Sequence, residues 1–226
     1  MKITVIPTGT IDTWLHLHAR PLKRDTGIRI SVPVPCYLLE HNGRKVLFDA
    51  GQTVPRKEQE PLANYFVRVT RKETAFCRLQ KMGVTPDDLD CIILSHHHAD
   101  HCDGLADFPQ VRAICQTPAL ENFARFKNAF TAVDGVYDVW GDGVLTCIPT
   151  PGHAPGHQSL LIANDDGTRT LLMGDVVYMP EALDYEPAKE EYAERPEYFN
   201  SIRQVRSLRD SGVKIVFGHH PYTLVK

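Results

Sequence analysis

The sequence lacks any apolar run approaching the length of about 20 residues that a membrane-crossing helix requires. The stretch from Met1 to Ile6 alternates like a strand and breaks at Pro7, so it is too short and too polar for the core of a signal peptide. Internal repeats and low-complexity tracts are also missing. We therefore expect a single domain over residues 1–226, with no linker, no targeting segment and no membrane partner.

The net charge of the chain is small, and closely spaced cysteine pairs are missing from the sequence. The 25 Lys and Arg residues nearly balance the 28 Asp and Glu residues, and the formal net charge of -3 gives no electrostatic reason to expect a nucleic-acid partner. The six cysteines are dispersed and form no CxxC pair. This pattern fits reduced, mostly buried thiols in a cytoplasmic protein better than a disulfide framework. The oligomeric state stays open.

A cluster of candidate metal ligands follows the apolar run from Cys91 to Leu94. It comprises His96, His98, Asp100 and His101, spaced His-x-His-x-Asp-His. An apolar run that ends in such a cluster predicts a buried strand that delivers polar side chains to its carboxyl end. In an extended backbone His96 and His98 point to the same side, and His97 between them points away. Imidazole and carboxylate groups are ligands that zinc accepts, and these could hold two ions. A histidine-rich surface loop is the alternative.

The spacing resembles the HxHxDH signature of the metallo-β-lactamase superfamily. Three further positions of that pattern are present, as His153 in Thr-Pro-Gly-His, Asp175 in Met-Gly-Asp and His219 in Phe-Gly-His. The resemblance implies an α/β fold, a four-layer αββα sandwich with two mixed sheets flanked by helices. It also implies two divalent metal ions, most simply Zn2+. The first would be held by His96, His98 and His153 and the second by Asp100, His101 and His219, with Asp175 bridging them.

The resemblance implies an enzyme, a metal-dependent hydrolase. A pair of metal ions lowers the pKa of a shared water towards neutrality and polarises a carbonyl or phosphoryl oxygen. A hydroxide that bridges the two ions would attack the substrate, and Asp100 would accept a hydrogen bond from it. Oxygen-reducing di-iron members carry glutamate where His98 stands, so the ligand set favours zinc and hydrolysis.

Within the superfamily, the chain resembles the N-acyl homoserine lactonases, the quorum-quenching enzymes. The matching segments are Pro35–Glu40, Thr150–Leu160, Asp175 followed by Tyr178, and Phe217–His219. The resemblance implies that Tyr178 contacts the substrate carbonyl and assists ring opening. We therefore predict a small lactone or ester as substrate. Two alternatives stay open, a phosphodiesterase that uses the same metals and a metal-binding protein without catalytic activity.

Several segments around the ligands have predicted roles. Residues 7–27 are expected to form a loop over the site, with Trp14 and either Leu15 or Leu17 in contact with substrate or simply packed. The Asp-x-Gly element that begins at Asp49 is expected to support the metal loop. The other predicted elements are a strand over residues 2–6, hairpins over 34–49 and 158–173, helices over 61–82 and 196–210, and a last strand over 213–217.

Overall fold

The computed structural model describes residues 1–22, 27–54 and 65–225. The strands in these ranges are β1 (Lys2–Trp14), β2 (Arg29–His41), β3 (Arg44–Phe48), β4 (Phe66–Arg68), β5 (Cys91–Ile93), β6 (Ala113–Gln116), β7 (Phe130–Val133), β8 (Tyr137–Asp138), β9 (Leu145–Pro149), β10 (Gln158–Ala163), β11 (Arg169–Leu172), β12 (Lys214–Val216) and β13 (Thr223–Leu224). The α-helices are α1 (Leu15–His18), α2 (Ala75–Lys81), α3 (Ala99–Cys102), α4 (Lys189–Glu194) and α5 (Pro196–Asp210). Short 3-10 helices cover Arg71–Glu73, Pro86–Asp88, Asp103–Asp107, Thr117–Phe123 and Pro180–Asp184.

The strands form two mixed sheets. The first has the order β4-β1-β2-β3-β5-β6-β7, with β13 paired to β2, and the second has the order β12-β11-β10-β9-β8. In the first sheet β1, β2 and β3 are antiparallel, whereas β3, β5, β6 and β7 are parallel. In the second sheet only the pair of β11 and β12 is parallel among the described strands. Each sheet therefore mixes both kinds of pairing, as predicted.

Alternation along the strands separates the apolar side chains into distinct cores. Val46 and Phe48 of β3 face the second sheet, whereas Leu47 faces the opposite side. In β10, Leu160 belongs to the core between the sheets and Leu161 packs towards α5. Helix α2 covers the outer face of the first sheet, and α5 covers the outer face of the second. The predicted α/β fold with four αββα layers is confirmed.

The predicted hairpins and the last predicted helix are confirmed, because these elements depend on residues that are neighbours in the chain. The hairpin of β2 and β3 turns at Asn42 and Gly43, which both have positive φ values, 49° and 79°. Such values are typical of a tight primed turn. The hairpin of β10 and β11 and the helix over residues 196–210 also lie where they were predicted.

The predicted loop over residues 7–27 is wrong for the part that the structure describes. Strand β1 continues through Pro7 to Trp14, where it pairs with Arg29 of β2, and α1 follows directly. The register shifts between Pro7 and Thr10, where Gly9 has a φ of 103°. Pairing with a distant strand therefore extends β1 beyond its local stop signal. Residues 23–26 lie outside the described residues.

The predicted helix over residues 61–82 is also wrong over most of its described length. Phe66–Arg68 forms β4, which pairs with β1, and α2 covers only Ala75–Lys81. Thr74 begins this helix, because its side-chain oxygen accepts a hydrogen bond from the amide of Cys77 at 3.4 Å. Phe66 and Val67, which precede Thr74 within the predicted helix, belong instead to a strand that pairs with β1. Residues 61–64 lie outside the described residues.

Candidate metal centre

The seven predicted ligand side chains lie together at one edge of the sandwich. They come from the loops after β5, β9, β11 and β12 and from α3, and they are His96, His98, Asp100, His101, His153, Asp175 and His219. Strands β9 and β11 are both antiparallel to β10, and β12 is parallel to β11. These three strands therefore run in the same direction, and their carboxyl ends meet at the same edge.

The first group of possible metal ligands comprises His96, His98, His153 and Asp175. Nδ1 of His98 lies 3.0 Å from Nε2 of His153. Oδ2 of Asp175 lies 3.4 Å from Nε2 of His153 and 3.7 Å from Nε2 of His96. Three imidazole nitrogens and one carboxylate oxygen thus surround one small volume.

The second group comprises Asp100, His101 and His219. The Nε2 atoms of the two histidines are 3.3 Å apart. Oδ2 of Asp100 lies 3.4 Å from Nε2 of His101 and 3.2 Å from Nε2 of His219. Asp175 reaches this group as well, because its Oδ2 is 3.3 Å from His101 Nε2 and its Oδ1 is 3.5 Å from His219 Nε2. Asp175 is therefore placed between the two groups.

The geometry and chemistry of these atoms fit metal ions. Nε2 of His96 and Oδ1 of Asp175 are buried and have no hydrogen-bond partner within the described ranges. Two ligands of a tetrahedral zinc ion, each about 2.0–2.1 Å from it, lie about 3.3 Å apart. The separation of the His101 and His219 nitrogens matches that value. The two groups could hold two divalent ions that share Asp175.

Asp49 and Ser95 lie behind the ligand cluster and contact the imidazoles of His96 and His101. The Asp49 carboxylate accepts hydrogen bonds from the amide of Ser95 at 2.7 Å and from its hydroxyl at 2.9 Å, and Oδ2 lies 2.7 Å from Nδ1 of His101. The hydroxyl of Ser95 also lies 3.0 Å from Nδ1 of His96. Because Nδ1 of His96 and of His101 is engaged in this way, Nε2 of both imidazoles faces the ligand cluster. The predicted position of Asp49 behind the metal loop is confirmed, and its unusual φ of 59° places the carboxylate there.

His157 fixes the loop that carries Asp175. Its Nδ1 lies 2.9 Å from the hydroxyl of Thr150, and its Nε2 accepts a hydrogen bond from the amide of Asp175 at 3.0 Å. Gly174 has a φ of 61°, and a Cβ atom there would lie only 2.8 Å from Nε2 of His157. A glycine before Asp175 is therefore required for this contact.

Charge coupling within the cluster follows from burial and from the mixture of imidazoles and carboxylates. Burial alone would lower the pKa of His101, but Asp175 and Asp100 raise it well above its usual range. Burial alone would raise the pKa of Asp175, but His101 and His219 hold it well below its usual range. Burial lowers the pKa of His153 to about 4. The carboxylates are thus stabilised as anions by positive charge on their neighbours.

A cavity of about 430 Å³ opens onto this cluster. That volume is within the usual range of small-molecule sites. Its walls are formed by Ile11, Thr13, Leu17, His18, Val32, Gln52, Tyr65, Val67, His98, Ala99, Asp100, His153, Asp175, Tyr178 and His219. Leu17 lines the cavity as predicted, whereas Leu15 is buried in the core and Trp14 is not among the described lining residues.

Tyr178 stands beside both ligand groups. Its ring centroid lies 5.9 Å from that of His153 and 5.5 Å from that of His219. Burial, together with Asp175 and Asp100, raises the pKa of its phenol well above the usual range, so the hydroxyl keeps its proton. Tyr178 therefore lines the cavity beside both ligand groups.

No sequence pattern predicts a role for His18, which stacks on Tyr178. Their ring centroids are 4.9 Å apart and their planes differ by 8°. Burial and the neighbouring His219 lower the pKa of His18 to about 3, so its imidazole is neutral near pH 7. Thr13, Gln52 and Tyr65 were also missed as lining residues. No local pattern marks these positions, because they reach the cavity only through the pairing and packing of segments that are distant in the chain: β1, α1, the loop after β3 and the residue before β4.

Other residues near the ligands lie outside both groups. Cys102 is buried, and its thiol donates to the carbonyl oxygen of His97 at 3.2 Å. His97 itself belongs to neither possible ligand group in the described part of the chain, in agreement with its predicted orientation. His220, which follows His219, is likewise outside the described groups.

The comparison with protein families matches the metallo-β-lactamase superfamily over residues 30–220. The chain belongs to this superfamily. N-acyl homoserine lactonase AttM of Azorhizobium caulinodans is 28% identical, over 98% of this chain and 94% of that protein. N-acyl homoserine lactonase AiiA of Bacillus thuringiensis subsp. kurstaki is 33% identical, over 71% of this chain and 70% of that protein.

A solved structure of an N-acyl homoserine lactone hydrolase gives a similar result for this metallo-β-lactamase superfamily member. It superposes with a TM-score of 0.80 at 25% identity and covers 96% of this chain and 92% of that chain. In that structure the product N-hexanoyl-L-homoserine is bound at the catalytic metal centre. Both the sequence and the structural similarity therefore extend through the ligand edge and place the chain beside the N-acyl homoserine lactonases.

Proposed function

We propose that the protein is a dinuclear zinc hydrolase that opens a small lactone, with an N-acyl homoserine lactone as the model substrate. The observation that carries this proposal is the position of Asp175 between two histidine groups, with Tyr178 in the wall of the same cavity. The named relatives and the solved hydrolase with a ring-opened product support the lactone as substrate.

The ligand roles follow from the two groups. His96, His98 and His153 would hold one zinc ion, Asp100, His101 and His219 would hold the other, and Asp175 would bridge them. The bound ions would lower the pKa of water and polarise the lactone carbonyl, so that hydrolysis proceeds at neutral pH. The nitrogen-rich donor set suits zinc.

Two side chains would act on the reacting atoms directly. Asp100 would accept a hydrogen bond from the attacking water, because its carboxylate lines the cavity, with Oδ2 3.2 Å from Nε2 of His219. Tyr178 would donate a hydrogen bond to the carbonyl oxygen as negative charge develops there. The ring C–O bond then breaks, the carbonyl carbon keeps the oxygen of water, and the leaving alkoxide takes up the proton that the water gave up, so that one lactone and one water give one hydroxy acid.

The cavity wall beyond the ligands supports a neutral, partly apolar substrate. Ile11 and Val32 face each other across β1 and β2, and Val67 of β4 adds to the same surface. Leu17 of α1 completes it. A lactone that carries an acyl chain has the matching character, since its ring is polar and its chain is apolar.

The proposal is tested with zinc-reconstituted protein against matched panels of lactones, linear carboxylic esters and phosphodiesters. We expect kcat/KM to be highest for lactones and to disappear in chelated protein. A preference for phosphodiesters would support the phosphodiesterase alternative, and full zinc occupancy without turnover of any panel would support a metal-binding protein.

Three further inferences accompany this proposal. The chain from 1 to 226 acts as one domain, because both sheets contribute to the site, and its substrate partner is a small molecule. The protein works in the cytoplasm, because all six cysteines are free. Within the described residues, none of the helices has the length and apolar character needed to cross a bilayer.

A further inference from the structure

Two polar atoms in the cavity wall have no role in the ligand cluster. They are Oγ1 of Thr13 and Nε2 of His18, and both residues line the cavity. Both atoms are buried and have no hydrogen-bond partner among the residues that the structure describes. Thr13 is only 4% exposed and His18 only 3%. Buried polar atoms of this kind are nearly always hydrogen-bonded in folded proteins, so a partner in the cavity is expected.

The two residues lie in an otherwise apolar part of the wall. Thr13 is two positions after Ile11 on β1, so the two side chains project from the same face of the sheet. Ile11 pairs with Val32 on one side and Val67 on the other, and all three line the cavity. A hydroxyl in this surface contributes nothing to packing that a methyl group would not also provide.

His18 connects this part of the wall to the reacting centre. Its ring stacks on the Tyr178 ring at 4.9 Å, and Tyr178 in turn lies next to His153 and His219. A group bound at Nε2 of His18 would therefore lie beside the Tyr178 ring. This is the region that a substituent on the lactone ring reaches first.

We propose that Thr13 and His18 are specificity-determining residues that form a polar subsite for an amide on the substituent of the lactone. This inference rests on the proposed lactonase function and deepens it. An amide presents one N–H donor and one carbonyl acceptor. A hydroxyl and a neutral imidazole nitrogen can each donate or accept, so the pair can satisfy both amide groups at once. The apolar residues around them would contact the acyl chain beyond the amide.

The test compares two lactones of equal chain length. One is an α-acylamino-γ-butyrolactone with a six-carbon acyl chain, and the other is the α-alkyl-γ-butyrolactone that lacks the amide. His18→Phe keeps an aromatic ring for the stack on Tyr178 and removes the nitrogen atoms, and Thr13→Val replaces the hydroxyl with a methyl group. We expect each variant to lower kcat/KM for the acylamino lactone by about 2- to 10-fold, the effect of one lost hydrogen bond. Turnover of the alkyl lactone should stay within about 2-fold.

His16→Phe is the matched control, because His16 lies on the same helix and is not among the described residues of the cavity wall. It should leave the ratio of the two kcat/KM values unchanged. Equal losses for both lactones in His18→Phe would overturn the subsite and leave His18 only a role in packing Tyr178. Unchanged selectivity in both His18→Phe and Thr13→Val would also overturn it.

A binding measurement separates the subsite from the proposed catalysis. The ring-opened N-acyl amino acid is titrated into zinc-loaded wild type, His18→Phe and Thr13→Val by calorimetry. We expect each variant to bind it about 2- to 10-fold more weakly than the wild type. If the wild type opens neither lactone, the proposed function fails, and equal affinities in this titration would then reject the subsite independently.

Discussion

Asp49 Oδ2 lies 2.7 Å from Nδ1 of His101, although 52 positions separate the two residues in the chain. The same carboxylate accepts hydrogen bonds from the amide and the hydroxyl of Ser95. One side chain therefore positions the first residue of the ligand loop and also orients a ligand imidazole. A hydrogen bond from the far nitrogen of a ligating histidine fixes its tautomer and strengthens it as a donor. We therefore expect the Asp49–His101 contact to support both the affinity for metal ions and the fold of the ligand loop.

Asp49→Ala should weaken the second metal site more than the first. His101 loses the partner that orients its Nε2, and changes of this kind typically cost about 10- to 100-fold in metal affinity. Competition with a chromophoric chelator measures both zinc affinities. The control is Asp87→Ala, since Asp87 is exposed and distant from the ligand edge. Equal weakening by both variants, or none by Asp49→Ala, would contradict the assigned role.

Asp175→Asn should weaken both metal sites together. A neutral amide is a poorer bridging ligand than a carboxylate, and Asp175 is the residue that reaches both groups. Elemental analysis after zinc reconstitution should give close to two ions per wild-type chain and clearly fewer in the variant. Asp134→Asn, at an exposed position, should keep both ions. A variant that retains two ions and full activity would show that the bridge is misassigned.

Tyr178→Phe should keep both metal ions and lower lactone turnover. Loss of one hydrogen-bond donor to a developing oxyanion typically costs about 10²- to 10³-fold in kcat, and we expect less because the metal ions share the charge. Steady-state kinetics with separate kcat and KM values provide the measurement. Tyr137→Phe, in the second sheet, is the control. Wild-type turnover in Tyr178→Phe would remove the residue from the mechanism.

Cys102→Ala should leave activity within a few-fold of wild type. The thiol is buried against the His97 carbonyl and the Arg125 guanidinium, and burial raises its pKa to about 12, so it stays protonated and is a poor ligand. Removing the sulfur leaves a small cavity, with an expected cost of about 1 kcal/mol in the free energy of unfolding. Urea unfolding and zinc content are measured together. Loss of an ion would instead identify Cys102 as a ligand.

Asp12→Asn should destabilise the protein at neutral pH but not in acid. Burial alone would raise the pKa of Asp12, but hydrogen bonds from Arg68 and Ser31 lower it below its usual value. Oδ2 lies 2.7 Å from Nε of Arg68, and this contact ties β4 to β1. The other charged group that faces it is Arg29.

The sign of the pH effect follows from the lowered pKa. The unfolded carboxyl titrates near pH about 3.9, so the stabilisation is fully present above that pH and is lost as the pH falls through the folded-state pKa. The difference in unfolding free energy between wild type and Asp12→Asn should be about 1 kcal/mol at pH 7, because Arg68 is exposed to solvent. Urea titrations from pH 7 down to about pH 2, well below the unfolded value of about 3.9, measure it. A difference that grows towards acid pH would contradict this assignment.

The sequence by itself determined the elements with local signals, and, through its resemblance to the superfamily, it predicted the candidate ligands that the fold brings together. The His-x-His spacing sends His96 and His98 to one side of an extended backbone, and a glycine turn at Asn42-Gly43 joins two strands wherever the rest of the chain lies. The helix over residues 196–210 carries its own start and stop signals, with Pro196 at its first position and Gly212 beyond its end. Such features depend on residues that are neighbours in the chain.

Only the tertiary structure decided which distant residues meet. The extension of β1 to Trp14, the strand at Phe66–Arg68 and the stack of His18 on Tyr178 all depend on partners far away in the sequence. Hydrogen bonds between strands can override a local stop signal such as Pro7, because each paired residue gains a partner for its backbone groups. Apart from Leu17, Tyr178 and the candidate ligands, the walls of the cavity could not be predicted for the same reason, since pairing register and ring packing leave no periodic trace in the chain.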